Sequence, residues 1–234
     1  HFLWARPCVV LHLGRQNPKR NYYTADGTAL KKASSVKDLG INLNERLQNS
    51  LHCSIISSRA FRKSSLIFRG FSCRSPAFLK AAFCTYVRPL LEYASCCWSP
   101  SLRKDVNLIE SVQRRFTKRI PGMRELSYAR RLQLLELDSL QLRRLKADLT
   151  ETFKILRGLV SVNAGDFFKL ASGNTRGHEL KLVVPKCISS LRKSFFSCRV
   201  ITIWNKLPPE IVESRSVTTF KRRLNKCDLN RFLM

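Results

Sequence analysis

The sequence predicts an α+β fold, mainly helical. A short amino-terminal strand and hairpin region leads into a helical bundle, and a mixed carboxy-terminal extension follows. Three observations carry this: β-branched runs punctuated by an Asp-Gly turn, apolar residues at helical spacing from about residue 51, and a Gly- and Pro-interrupted stretch over 161–186. The apolar fraction of 44% is close to the globular average, so 234 residues can bury a core in one large unit or two small ones.

Cys8 to Leu13 is an apolar run that ends at Gly14. Tyr22–Thr24 and Thr28–Leu30 flank Ala25-Asp26-Gly27, a hairpin signal, because Asp-Gly accepts the positive φ that tight turns need. Val36 to Leu43 reads as a further strand, with Gly40 permitting a bulge. Ser75-Pro76 then offers an N-cap and a proline in the first turn, ahead of Phe78, Leu79, Ala82, Phe83, Tyr86, Val87, Leu90 and Leu91 at helical steps. Pro89 should kink that helix, and Ser99-Pro100 closes it. Val106, Ile109, Val112, Phe116 and Ile120 form the stripe of the next helix, which Pro121-Gly122 ends. Two more helices are expected at about 127–135 and 139–159, the second striped by Leu142, Leu145, Leu149, Phe153 and Leu156. The irregular 161–186 region is the expected subdomain boundary. After it come a mixed stretch over 194–204, the Pro208-Pro209 break and a short basic helix at about 217–226.

Charge is the most informative bulk property. Forty-three Lys and Arg against 16 Asp and Glu give +27 and a pI near 10.5. Such an excess on a chain with an ordinary core opposes compaction unless a polyanion answers it, with nucleic acid ahead of an anionic membrane surface. No apolar run approaches the ~20 residues that span a bilayer. The stretch His1–Leu13 carries Arg6 and Pro7 in its middle, unlike a signal peptide.

The bases are also organised. Between Arg103 and Lys146 twelve face only five acids. Arg114, Arg115, Lys118 and Arg119 project from one side of a single helix with only Glu110 in reach, whereas a solvated face intersperses both signs. Phosphate contact is the better reading, and Arg143 and Arg144 join the candidates. Phe116, Tyr128, Phe153, Phe195, Phe196 and Trp204 interleave with this charge. They fall on apolar stripes and read as core rather than as base-stacking platforms.

Catalytic signals are missing. No P-loop, dinucleotide fingerprint, nucleophile elbow or H-E-x-x-H helix occurs, and the seven aspartates are isolated from one another in sequence. Nine cysteines include no C-x-x-C pair and no histidine at ligand spacing. They read as reduced, mostly buried thiols, and no metal site is assigned.

Several blocks carry a resemblance: YVRPLLEYASCCWSP (86–100), LIESVQRRFTKRIPGM (108–123), SYARRLQLLELDSLQLRRLKADLTETFKIL (127–156) and FFSCRVITIWNKLPPEIV (195–212). In order and spacing they resemble successive blocks of LINE-type, jockey-like reverse transcriptases of non-LTR retrotransposons. TRGH (175–178), FKRRL (220–224), CVVLHLGRQNP and VKDLGINLN are similar to connecting pieces of that pattern. The resemblance implies the end of a palm (1–48), a helical thumb-like domain (49–160) and a carboxy-terminal extension (161–234). It also implies a primer-grip-like segment at Asp38, Leu39 and Gly40, with template-primer RNA and DNA as partners and an intracellular location, in the nucleus or a cytoplasmic ribonucleoprotein. The family's Asp-Asp turn, its finger motifs and the Mg²⁺ held by the intact parent enzyme would lie elsewhere, and a start at His1 fits a piece of a longer frame. A stand-alone nucleic-acid-binding protein and a functionless genomic relic are the alternatives. The purified chain, given Mg²⁺, primed template and nucleotides, is expected to extend no primer. Extension that is lost on mutating one of the seven aspartates would overturn the truncated-polymerase expectation.

Overall fold

The computed structural model describes residues 8–14, 16–172 and 177–233. Residues 1–7 of the apolar amino-terminal stretch, Gly173, and Thr175 and Arg176 of the TRGH block lie outside them. Helix makes up 52% of the chain and the short strands cluster at the amino terminus, as an α+β, mainly helical fold requires.

Strand β1 (Val9–Leu11) pairs in parallel with β2 (Lys31–Ala33), Val9 opposite Lys31. Between them the Asp-Gly turn forms. Tyr23 bridges Ala29, the Asp26 carboxylate accepts the Thr28 amide at 3.1 Å, and Gly27 takes φ +82°. The single strand expected over 36–43 is two: β3 (Ser35–Asp38) turns back into antiparallel β4 (Ile41–Asn44) through Leu39 and Gly40. Both turn residues have positive φ, 43° and 91°, so Gly40 serves a two-residue hairpin turn rather than a bulge.

Helix α1 (Ser50–Gly70) lies under this hairpin, and Ile41 packs on the same apolar cluster. Helix α2 (Pro76–Ala82) starts as its sequence requires: the Ser75 hydroxyl accepts the Phe78 amide at 3.3 Å, and Pro76 occupies the first turn. Proline at 89 lacks an amide and crowds the carbonyl four residues back. The chain absorbs this in a π turn over Phe83–Val87, where the Arg88 amide reaches the Phe83 carbonyl, before α3 (Arg88–Glu92) resumes. Ala94 adopts left-handed backbone at φ 50° and leads into α4 (Ser95–Trp98).

Helix α5 (Arg103–Lys118) buries the expected stripe: Val106, Ile109, Val112 and Phe116 are all 6% exposed or less, with Ile120 just beyond it at 2%. Helices α6 (Tyr128–Leu134) and α7 (Leu140–Leu156) are each capped by a serine hydroxyl, Ser127 and Ser139. The extension holds an antiparallel bridge, Leu170 to Leu182, and four short helices. These are α8 (Ser190–Ser194), α9 (Phe196–Arg199), α10 (Ile201–Trp204) and α11 (Pro209–Val212). Helix α12 (Val217–Lys226) falls where its basic amphipathic pattern placed it.

Two apolar clusters result. The first joins α1–α5 and reaches Leu135 and Leu140; the second runs from Leu149, Phe153 and Ile155 to Trp204, Phe220 and Leu229. They change over along α7, not in the 161–186 stretch. The cysteine expectation needs correction as well. All nine are free, but only Cys53 and Cys198 are buried, because Cys73 lies in a loop and Cys97 on the open side of a one-turn helix. Among the described residues no helix is long and apolar enough to cross a membrane.

His52 ties the β-region to the bundle. Its Nδ1 accepts the Asn42 amide at 3.2 Å, its ring stands edge-on to Trp98 at 4.7 Å, and it is 2% exposed. Burial, aided by the Arg59 charge, lowers its pKa, and protonating Nδ1 would set a donor against a donor. A lowered folded pKa means that the stability is present above pH ~6.5 and is lost as pH falls toward the folded value. Urea unfolding should therefore show stability declining from pH 7.5 to 5.5. In His52→Gln, which keeps an acceptor without titrating, that decline should be shallower; the remainder belongs to buried His178, lowered in the same direction.

Candidate nucleic-acid interface

Helix α5 is amphipathic to the point of segregation. Its apolar stripe faces α1, and Asp105 in its first turn complements the helix dipole while accepting the Ser50 hydroxyl at 2.6 Å. Glu110, the one acid in sequence reach of the basic cluster, is turned inward. It is 6% exposed and accepts the Tyr128 hydroxyl and the Leu140 and Gln141 amides. Burial, and then this carboxylate, raise the pKa of Tyr128.

Arg114, Arg115, Lys118 and Arg119 are thereby left exposed, and none takes part in an ion pair among the described residues. Three rest on aromatic faces: Arg114 on Tyr128 at 5.0 Å, Arg115 on Phe61 at 5.0 Å and Arg119 on Phe68 at 4.0 Å. Such seating narrows the rotamers while leaving the guanidinium edge free to donate.

The neighbouring helix contributes a part that the sequence reading missed. Helix α1 runs alongside α5 in the same direction, as Ser50–Asp105 at one end and Phe68–Arg119 at the other require. Ser65 lines the crevice between them with Phe61, Arg115 and Arg119. Arg62 and Arg69 stand on the Ser65 face at three- and four-residue steps, exposed and outside any ion pair among the described residues. The signal was available: from Arg46 to Leu91 the sequence holds eight bases and no acid.

Arg143 and Arg144 do not belong to this surface. Arg143 reaches Glu92 with both Nε and Nη2, the latter at 2.9 Å, and this pairing raises its pKa. Arg144 is 3% exposed. The sequence gave α7 one leucine stripe, but two clusters hold this helix, so its buried arc also includes Leu140, Arg144 and Asp148. Of the six aromatic residues set aside as core, Phe116, Phe153 and Trp204 are buried, while Phe195 is 36% exposed.

Asp38, Leu39 and Gly40 form the β3–β4 turn. Leu39 is 83% exposed, its carbonyl accepts the Tyr93 hydroxyl at 3.2 Å, and a Cβ on Gly40 would come within 3.3 Å of the Tyr93 ring. Among the described residues no hydrogen bond or ring contact joins this turn to the α5 cations, and no three His, Cys, Asp or Glu side chains are grouped as a metal ion needs. Compared with family models, with curated proteins and with solved structures, the chain matches none.

The turn makes two predictions of opposite sign. Gly40→Ala places a Cβ at φ +91° against Tyr93 and should cost about 1–2 kcal/mol. Leu39→Asn supplies the residue that a positive-φ turn prefers and should stabilise by up to ~1 kcal/mol. Urea denaturation of the two variants beside the parent checks both; equal midpoints for all three would show that the hairpin does not share the cooperative unit.

Proposed function

We propose that this chain holds template-primer nucleic acid, RNA and DNA, as the thumb-side part of a LINE-type reverse transcriptase. It does so through phosphate contacts along α1 and α5. The observation that carries the reading is the row of four exposed, acid-free cations on α5, flanked by Arg62 and Arg69. The sequence blocks that resemble such polymerases support it independently.

The charge spacing suits a polyanion. Positions 114 to 119 cover about 7.5 Å of helix axis at 1.5 Å per residue. A duplex carries one phosphate per ~1.7 Å of its own axis, so about four fall within the same distance. Arginines seated on rings present fixed donors to phosphate oxygens and carry no base information, so the surface positions a duplex without reading its sequence. On this reading the polymerase chemistry and its Mg²⁺ belong to the parent's catalytic aspartates, and the chain acts inside the cell where that ribonucleoprotein assembles.

The test replaces Arg114, Arg115, Lys118 and Arg119 together by Gln, which roughly keeps length and helix propensity while removing charge. If three or four phosphate contacts are lost, the log–log salt slope should become shallower by about one per contact. Affinity should fall by a similar factor on two unrelated primed duplexes. A solvated basic face predicts unchanged binding and slightly higher stability from relieved repulsion, and an unchanged slope on both duplexes would remove α5 from the binding surface.

A further inference from the structure

Arg144 is the one arginine whose burial serves no visible pairing: it is 3% exposed, and neither Nη1 nor Nη2 has a hydrogen-bond partner. A dry, unpartnered guanidinium is among the costliest arrangements in a protein interior. The carboxylates around it are engaged elsewhere. Glu110 serves the first turn of α7, Glu92 holds Arg143, and Asp148 receives Arg199 through both oxygens at 2.8 and 2.9 Å. Neighbouring Cys53 adds no charge, since burial pushes its thiol up to about 12.

Arg144 lines a cavity of about 290 Å³ between α7 and the segment running from α8 to α10. That is roughly ten times the ~30 Å³ share of a water molecule, room for an oxyanion and the first atoms of what carries it. Its walls bring Arg144, Lys193 and Arg199 together against a single carboxylate, Asp148. Ser101 and Ser190 add hydroxyls, while Leu145 and Val200 keep the rest apolar. A net positive, partly apolar cavity strengthens every charge-assisted hydrogen bond made inside it.

We infer that this cavity is a phosphate-binding site, with the Arg144 guanidinium as its buried anchor and Lys193 at its exposed edge. Two adjacent Nη groups match two oxygens of one phosphate, and the surplus of positive charge suits a dianion better than a carboxylate. The site is separate from the exposed α1–α5 surface, so it stands or falls independently of the proposed function. The phosphate has two sources: free in solution, or the terminal phosphate of a nucleic-acid strand.

The test uses the full chain, with inorganic phosphate compared against chloride at matched ionic strength. Thermal unfolding and calorimetric titration are the readouts. Phosphate should raise the unfolding midpoint saturably. Arg144→Met should lose this response, with affinity down about tenfold or more. In phosphate-free buffer the same variant should be no less stable than the parent, because an apolar side chain replaces an unpaired charge. Should Arg144→Met fail to fold, Lys193→Gln, changed at an exposed position, still decides, with affinity expected to drop about two- to fivefold. Short oligonucleotides with and without a 5′-phosphate separate the sources. Tighter binding of the phosphorylated strand, kept in the four-Gln α5 variant, assigns the site to a strand end; equal binding, with inorganic phosphate still bound, assigns it to the free ion. A parent whose midpoint ignores phosphate at constant ionic strength, or a folded Arg144→Met or Lys193→Gln variant that binds it like the parent, overturns the inference.

Discussion

Glu110 lies buried on α5 with its carboxylate against the first turn of α7, accepting the Leu140 and Gln141 amides at 3.2 Å each. A helix start leaves four amides open and carries the positive end of the dipole, so a carboxylate there answers both needs. The same use recurs. Glu92 holds Arg143, Asp105 accepts Ser50, and Asp148 receives Arg199, whose remaining amino groups reach the Cys96 and Ser194 carbonyls. With 16 acids against 43 bases, each carboxylate turned inward leaves one fewer to temper the surface. The cohesion of the helices and the bare positive face of α1 and α5 are thus consequences of one distribution of negative charge.

That face is unfavourable for the chain alone, because cations one and four residues apart repel in low salt. Seating Arg114, Arg115 and Arg119 on Tyr128, Phe61 and Phe68 offsets part of this and fixes where the charge stands. A polyanion laid along it would remove the rest and stabilise the native state by mass action. Binding and folding are therefore coupled through the same side chains.

What was legible in the sequence follows from length and symmetry. Helices α5 and α12 each pack mainly on one side, so one stripe describes them, and their extents could be read to within a residue or two. The Asp26-Gly27 turn was legible because only a few residues take its backbone. Leu39 hid the second turn, since leucine at positive φ contradicts its own preference and only docking on Tyr93 holds it there. Helices α8 to α11, at four or five residues each, are too short for any periodicity. On the basic surface, Arg114 to Arg119 stood out as a dense run. Arg62 and Arg69 are diluted among serines and become neighbours of that run only when α1 lies beside α5. Arg144 could not be told from Arg143, because which of two adjacent arginines turns inward depends on a second core that packs on α7 from far along the chain.

Helix α7 belongs to both cores: Leu140 closes the first, while Phe153 stacks on Phe220 at 4.4 Å in the second. The molecule therefore has no seam at the glycine-rich stretch where the chain seems to divide. A piece ending at residue 160 would keep α7 entire yet expose Leu149, Phe153 and Ile155 to water. Each of these is worth about 1.5–3 kcal/mol of burial, an invitation to self-association. A piece beginning at 161 would lose the wall on which Phe220 and Trp204 rest. The carboxy-terminal extension is in this sense the far half of the bundle, and the two can be inherited, expressed or melted only together.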